Sequence, residues 1–156
     1  MRLNDLINEF GAKLNLEIAL NDGGCTLDID GMSVTIQEID ELSTISTVAE
    51  IGEAPPQGLE KLFEAMLAAN HLFAGTGGST ISFDIEKRRF YLCRIDRSEL
   101  MDFDAFRSML EKFVNVLDVW RRLLADYRPE EDVDIVRSAE SRMEVLAFTL
   151  EDFIRV

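Results

Sequence analysis

The dipeptide Asp30-Gly31 stands between two runs that alternate apolar and polar residues, with Cys25, Leu27 and Ile29 before it and Met32, Val34 and Ile36 after it. A type I′ turn needs positive φ at both central positions, and Asp-Gly supplies this at little steric cost. The pattern predicts a β-hairpin, and with it an antiparallel sheet that has one apolar face. A third strand over 43–51 follows from Ile45, Thr47, Ala49 and Ile51, which alternate against Thr44, Ser46, Val48 and Glu50. Pro55-Pro56 ends that strand.

Helical periods surround this β segment. Leu3, Leu6, Ile7, Phe10 and Leu14 recur at three- and four-residue spacing and form one apolar stripe. Leu16–Leu20 reads as a strand or an extended connection, and Asn21-Asp22-Gly23-Gly24 as a turn. From Gly58 to Ala74 the stripe is Leu59, Leu62, Phe63, Met66, Leu67, Asn70 and Phe73, stopped by Gly75, Gly77 and Gly78. A second hairpin pairs 80–85 with 89–95 around Glu86-Lys87-Arg88, and its arm Phe90–Ile95 is apolar on both sides, which predicts that at least one end of it is covered on both faces. A long helix follows from Asp102, an N-capping residue, to Tyr127. Pro129 breaks it, and Met143, Leu146, Ala147, Leu150, Phe153 and Ile154 then form a last helical stripe.

The expected fold is α+β: helix, three strands, helix, two strands and a long helix on a twisted antiparallel sheet, with an extra helical C-terminal tail. The division predicted is one domain over residues 1–128 and a helical extension over 129–156. With 156 residues and 47% apolar content, such a chain can bury a core without a disulfide or metal.

Charge and motif content narrow the function. Thirty acids against sixteen bases leave a net charge of −14, a field that repels nucleic-acid phosphates and anionic membranes and favours basic or mixed-charge partners. No apolar run reaches a membrane span, the opening Met1–Asp5 turns polar at once, and Cys25 and Cys93 have no paired spacing, so a cytoplasmic location is expected. His71 is the single histidine, which excludes a three-histidine metal site. Gly75-Thr76-Gly77-Gly78 closes a helix and has no lysine, the reverse of a phosphate loop. Thr26–Gln37 puts Thr and Gln where a calcium loop needs Asp and Glu. Acidic pairs such as Asp102 and Asp104, or Glu130 to Asp132, have no mechanistic partner. No enzyme activity, cofactor or metal site is expected. Most of the ten Phe and six Met are expected to fill the core, and the excess fits a self-interface and a peptide-binding surface.

The stretch Leu59–Asp84, LEKLFEAMLAANHLFAGTGGSTISFD, resembles the class I type III secretion chaperones, the Tir chaperone-like family. The shared pattern is a leucine-rich helix ending in Ala-Asn-x-x-Phe, a Gly-Gly turn and an alternating strand. LNDLINEFGAKLNL is similar to that family's opening helix, which ends in a Gly-containing stretch. The resemblance runs from about Leu3 to Tyr127, and the tail from Pro129 is longer and more helical than the family pattern. It implies a homodimer that needs no nucleotide and binds the N-terminal chaperone-binding segment of a secreted effector in extended form. The segment would press apolar side chains into hydrophobic strips and pair with a sheet edge, staying soluble and export-competent. By position the resemblance implies cargo contacts at Leu6, Phe10, Leu27, Ile29, Val34 and Ile36, and a dimer surface at Met66, Phe73, Phe83 and Tyr91. The alternative reading is a regulatory or interaction protein of the same fold with no tie to secretion.

Overall fold

A computed structural model of the chain describes residues 2–39 and 43–145. Helix α1 (Leu3–Leu14) precedes strands β1 (Gly24–Ile29), β2 (Met32–Glu38) and β3 (Thr44–Glu53). Helix α2 (Leu59–Asn70) leads through a 3₁₀ turn to β4 (Thr80–Asp84) and β5 (Arg89–Arg97). Helices α3 (Phe103–Asp126) and α4 (Ile135–Val145) follow. The strands form one antiparallel sheet in the order β1-β2-β3-β5-β4, so β1 and β4 are its edges. This is the α+β architecture that the periodicities predict.

The hairpin forms as its turn residues dictate. Asp30 and Gly31 take φ of 51° and 75°, and Ile29 pairs directly with Met32. Cys25, Leu27, Ile29, Met32, Val34, Ile36, Ile45, Ala49, Ile51, Phe90, Leu92 and Ile81 are buried. Register puts them on one sheet face, and α1 and α3 cover it. Phe10 of α1 meets Phe106 of α3 edge to face at 6.0 Å. The Asp102 side chain caps α3 by accepting from the Ala105 N–H at 2.8 Å. Trp120, on the buried stripe of α3, donates its Nε1–H to the Gly75 carbonyl at 2.8 Å and ties the 74–79 loop to the core.

Two expectations change. The helix opened at Leu59 ends at Asn70, before the glycines, because the chain kinks at Leu72 and Phe73, both at positive φ (51° and 57°). Phe73 consequently faces outward instead of completing the buried stripe, and Leu67 falls on the outward side of α2, whose buried residues are Leu62, Met66 and Ala69. Among the described residues no helix covers the second face of the strand Arg89–Arg97, where Tyr91 and Cys93 are half-buried and Ile95 is exposed. In the tail, α4 rests on α2 and α3 through the fully buried Ala139, with Ile135 and Met143 partly buried beside it. Leu146, Ala147, Leu150, Phe153 and Ile154 lie outside the described residues.

Candidate polypeptide-binding site

The two sheet edges differ in how their outward backbone groups are satisfied. On β4, the Asn70 side chain binds both groups of Ile81: its Nδ2 donates to the Ile81 carbonyl at 3.0 Å, and the Ile81 N–H donates to its Oδ1 at 2.8 Å. A primary amide thus occupies the place a neighbouring strand would take. This explains why an asparagine sits on the otherwise apolar face of α2, and why that helix ends there.

The β1 edge is open among the described residues. A two-residue turn makes Ile29 and Met32 a hydrogen-bonded pair, and bonding alternates along an antiparallel ladder. The Glu38 N–H donates to the Gly23 carbonyl at 2.9 Å, which fixes the same phase. Cys25, Leu27 and Ile29 therefore bond inward to β2, while Gly24, Thr26 and Asp28 direct N–H and C=O outward. Asn21 satisfies Gly24 in both directions, at 2.8 and 3.0 Å. Among the described residues nothing meets the outward main-chain groups of Thr26 and Asp28.

A cleft of about 480 Å³ runs along this edge. Its floor is Phe10, Leu27 and Ile29, and its far wall is the extended segment Leu16–Ala19. That segment can fold back because residue 11 is glycine: the Leu16 N–H donates to the Gly11 carbonyl at 2.8 Å, and Asn15 turns the chain with φ of 53°. A Cβ at position 11 would lie 2.7 Å from the Leu16 carbonyl oxygen. The Cys25 thiol also lines the cleft, and burial pushes its pKa up to about 11, so it stays protonated and unreactive near neutral pH.

The residues expected to touch cargo divide accordingly. All six are buried, at 0–7% exposure. Phe10, Leu27 and Ile29 line the base of the cleft, with Leu27 the most open of them at 7% and Phe10 and Ile29 at 1%. Leu16 and Ile18 add half-buried apolar surface from the wall. Leu6, Val34 and Ile36 lie away from the cleft, inside the core. Alternation alone assigns both sets to one face and cannot tell floor from interior. Of the four expected at a dimer surface, Met66 is buried on the inward stripe of α2, and Phe83 packs between Phe63 and Phe90 at 5.1 and 4.8 Å. Phe73 is 53% exposed and Tyr91 half-buried on the open sheet face. Sequence reasoning missed Leu72 (82% exposed), Leu67 (70%) and Ile95 (61%) as surface apolar residues. It also missed Asn70 as an edge cap, although a lone amide in an apolar stripe is a readable signal.

No helix among the described residues is long and apolar enough to cross a membrane, and no metal-binding cluster occurs among them. His71 is exposed in the 3₁₀ turn.

The model of the Tir chaperone protein (CesT) family matches residues 5–121. No curated protein matches the sequence. Among solved structures, a chain of the ExsC–ExsE complex superposes with a TM-score of 0.65 at 20% identity, covering 80% of this chain and 97% of that one. A chain from the complex of the Yersinia pestis type III secretion chaperone SycH with a fragment of YscM2 gives 0.59 at 22% identity, covering 74% and 97%. YbjN, described as a putative transcription regulator from E. coli, gives 0.58 at 14% identity, covering 76% and 87%.

Proposed function

Because the chain belongs to the Tir chaperone protein (CesT) family, we propose that it is a nucleotide-independent, homodimeric chaperone for the N-terminal segment of a secreted effector. The observation that carries this reading is the β1 edge, where the unmatched main-chain groups of Thr26 and Asp28 lie beside an apolar floor of Phe10, Leu27 and Ile29. An extended segment added there gains backbone hydrogen bonds from the edge and side-chain burial from the floor. Such a segment is held away from self-association while it awaits export. Catalysis has no place in this mechanism, and the protein acts by binding in the cytoplasm.

Self-association is assigned to the exposed apolar residues. Leu72 and Phe73 combine exposure with left-handed backbone, an arrangement costing about 1–2 kcal/mol per residue that is maintained where a neighbour uses it. Phe73 and Tyr91, with Leu72 and Ile95, make up the proposed dimer surface.

Co-expression with the N-terminal region of an effector encoded nearby tests the reading. A soluble stoichiometric complex that survives nucleotide removal is expected, with the chaperone at twice 17.7 kDa. A chain that stays free beside every secreted candidate refutes the cargo role, and a monomer refutes the dimer. The second reading, an interaction protein with no tie to secretion, draws on the fold shared with YbjN. It is favoured if no secretion genes lie near the gene.

A further inference from the structure

The lining of the β1-edge cleft contains two carboxylates, Glu17 and Asp28, and no lysine or arginine. Both acids are exposed. Asp28 keeps one oxygen, Oδ1, on the Gly31 N–H at 2.9 Å, which leaves Oδ2 for a partner. The nearest α1 cation, Lys13, is already engaged, paired with Glu9 at 3.0 Å and lying 3.6 Å over the Phe103 ring.

Strand pairing converts this into a side-chain code. Successive residues of a strand added at β1 point to opposite faces of the sheet. Those beside Leu27 and Ile29 enter the apolar floor, and those beside Thr26 and Asp28 face the open side of the sheet, next to the Asp28 carboxylate. We propose that the segment bound at this edge is an alternating apolar and basic strand, its apolar residues on the Phe10–Leu27–Ile29 floor and its lysines or arginines against Asp28 and Glu17. This rests on the cargo reading of the β1 edge and adds the chemistry by which cargo is chosen. A second copy of this chain is a poor occupant, because β1 paired with β1 sets the carboxylates of both copies along one seam, and like charges across strands are destabilising.

Fluorescence anisotropy with synthetic peptides tests the code on the full-length protein. The probes are two labelled peptides of about eight residues, long enough to cover β1, one alternating Val with Lys and the other Val with Glu. The Lys peptide is expected to bind about tenfold tighter than the Glu peptide at low salt, and the advantage shrinks as salt rises. The double variant Asp28→Asn, Glu17→Gln retains the turn acceptor and should bring the two peptides within about twofold of each other. Thr26→Pro removes an outward N–H without touching the main-chain bonds to β2, losing besides only the Thr26–Thr35 hydroxyl contact at 3.1 Å, and should weaken both peptides. Thr26→Val, which loses that hydroxyl contact alone, should leave both bound. The urea midpoint of Thr26→Pro, read from Trp120 fluorescence, separates lost binding from lost folding. Equal binding of both peptides that Thr26→Pro still abolishes overturns the charge code and leaves the edge reading intact. Binding of neither peptide, or binding indifferent to Thr26→Pro, overturns both. If Thr26→Pro converts a dimer into a monomer, a second copy fills the edge and the proposal fails.

Discussion

Replacing Asn70 with alanine should expose how much the β4 edge depends on one side chain. The substitution removes two hydrogen bonds, at 3.0 and 2.8 Å, and leaves the outward N–H and C=O of Ile81 unmatched at a partly buried position. Each such bond is worth about 1 kcal/mol net, and orphaned groups near the interior cost more than exposed ones. Alanine returns about 0.5 kcal/mol through its higher helix propensity, less at a last helical residue. The balance is a loss of about 2 kcal/mol. With a urea slope of about 2 kcal/mol/M, the unfolding midpoint should fall by about 1 M. The melting temperature should drop by about 4–8 °C for a chain of this size. Trp120 is the only tryptophan, and its indole N–H bonds to Gly75, whose own N–H bonds to Ala69 at the end of α2, so its fluorescence reports on the affected region. Glu64→Ala, on an outward position of the same helix, is the control and should shift the midpoint little. A loss below about 0.5 kcal/mol for Asn70→Ala, at fixed protein concentration, would refute the idea that this amide closes the edge.

Two further outcomes follow from the cleft. Gly11→Ala should destabilise the protein even though it gains about 1 kcal/mol of helix propensity, because the new Cβ would sit 2.7 Å from the Leu16 carbonyl. A raised urea midpoint would show that the Leu16–Ala19 wall yields freely. For Cys25, burial raises the folded-state pKa from 9.0 to about 11, so the thiol ionises first in the unfolded chain. Its contribution to stability is complete below pH 9 and declines between pH 9 and 11, by at most about 1.4 kcal/mol per pH unit. Unfolding free energies at pH 8 and 10 should therefore diverge more for the wild type than for Cys25→Ala, and equal slopes would discount the burial.

What could be read from the sequence was whatever depends on near neighbours. The Asp30-Gly31 turn, the alternation of β1 to β3 and the Asp102 cap are decided within a few residues, and each forms as expected. Sheet order is decided at a distance. That β5 inserts between β3 and β4, leaving β1 and β4 as edges, depends on α2 carrying the chain across. No periodicity encodes this crossing. The same holds within the site. Phe10, Leu27 and Ile29 differ from Leu6, Val34 and Ile36 only in lying beside an edge, so one apolar pattern contains both cleft floor and deep core. The sequence extends α2 to Ala74 because the apolar period runs through Asn70 to Phe73 and the first glycine comes at 75. The Asn70–Ile81 contact, eleven residues apart in sequence, overrides it.

The contrast between the two edges bears on why an open one is tolerated. An uncovered edge strand is a template for any chain that can pair with it, and proteins blunt such edges with caps, bulges or charge. At β4 the blunting is by an amide that fills the hydrogen-bonding positions, leaving a strand nothing to pair with at Ile81. At β1 no described residue fills those positions at Thr26 and Asp28, and the protection is electrostatic. Repulsion between carboxylates discourages β1 from pairing with another β1, and the net charge of −14 holds copies apart at longer range. The two devices differ in what they admit. A filled hydrogen-bonding position excludes every partner alike. A charged one turns away acidic strands and attracts basic ones, so the carboxylates that guard the edge against its own kind also select what may occupy it.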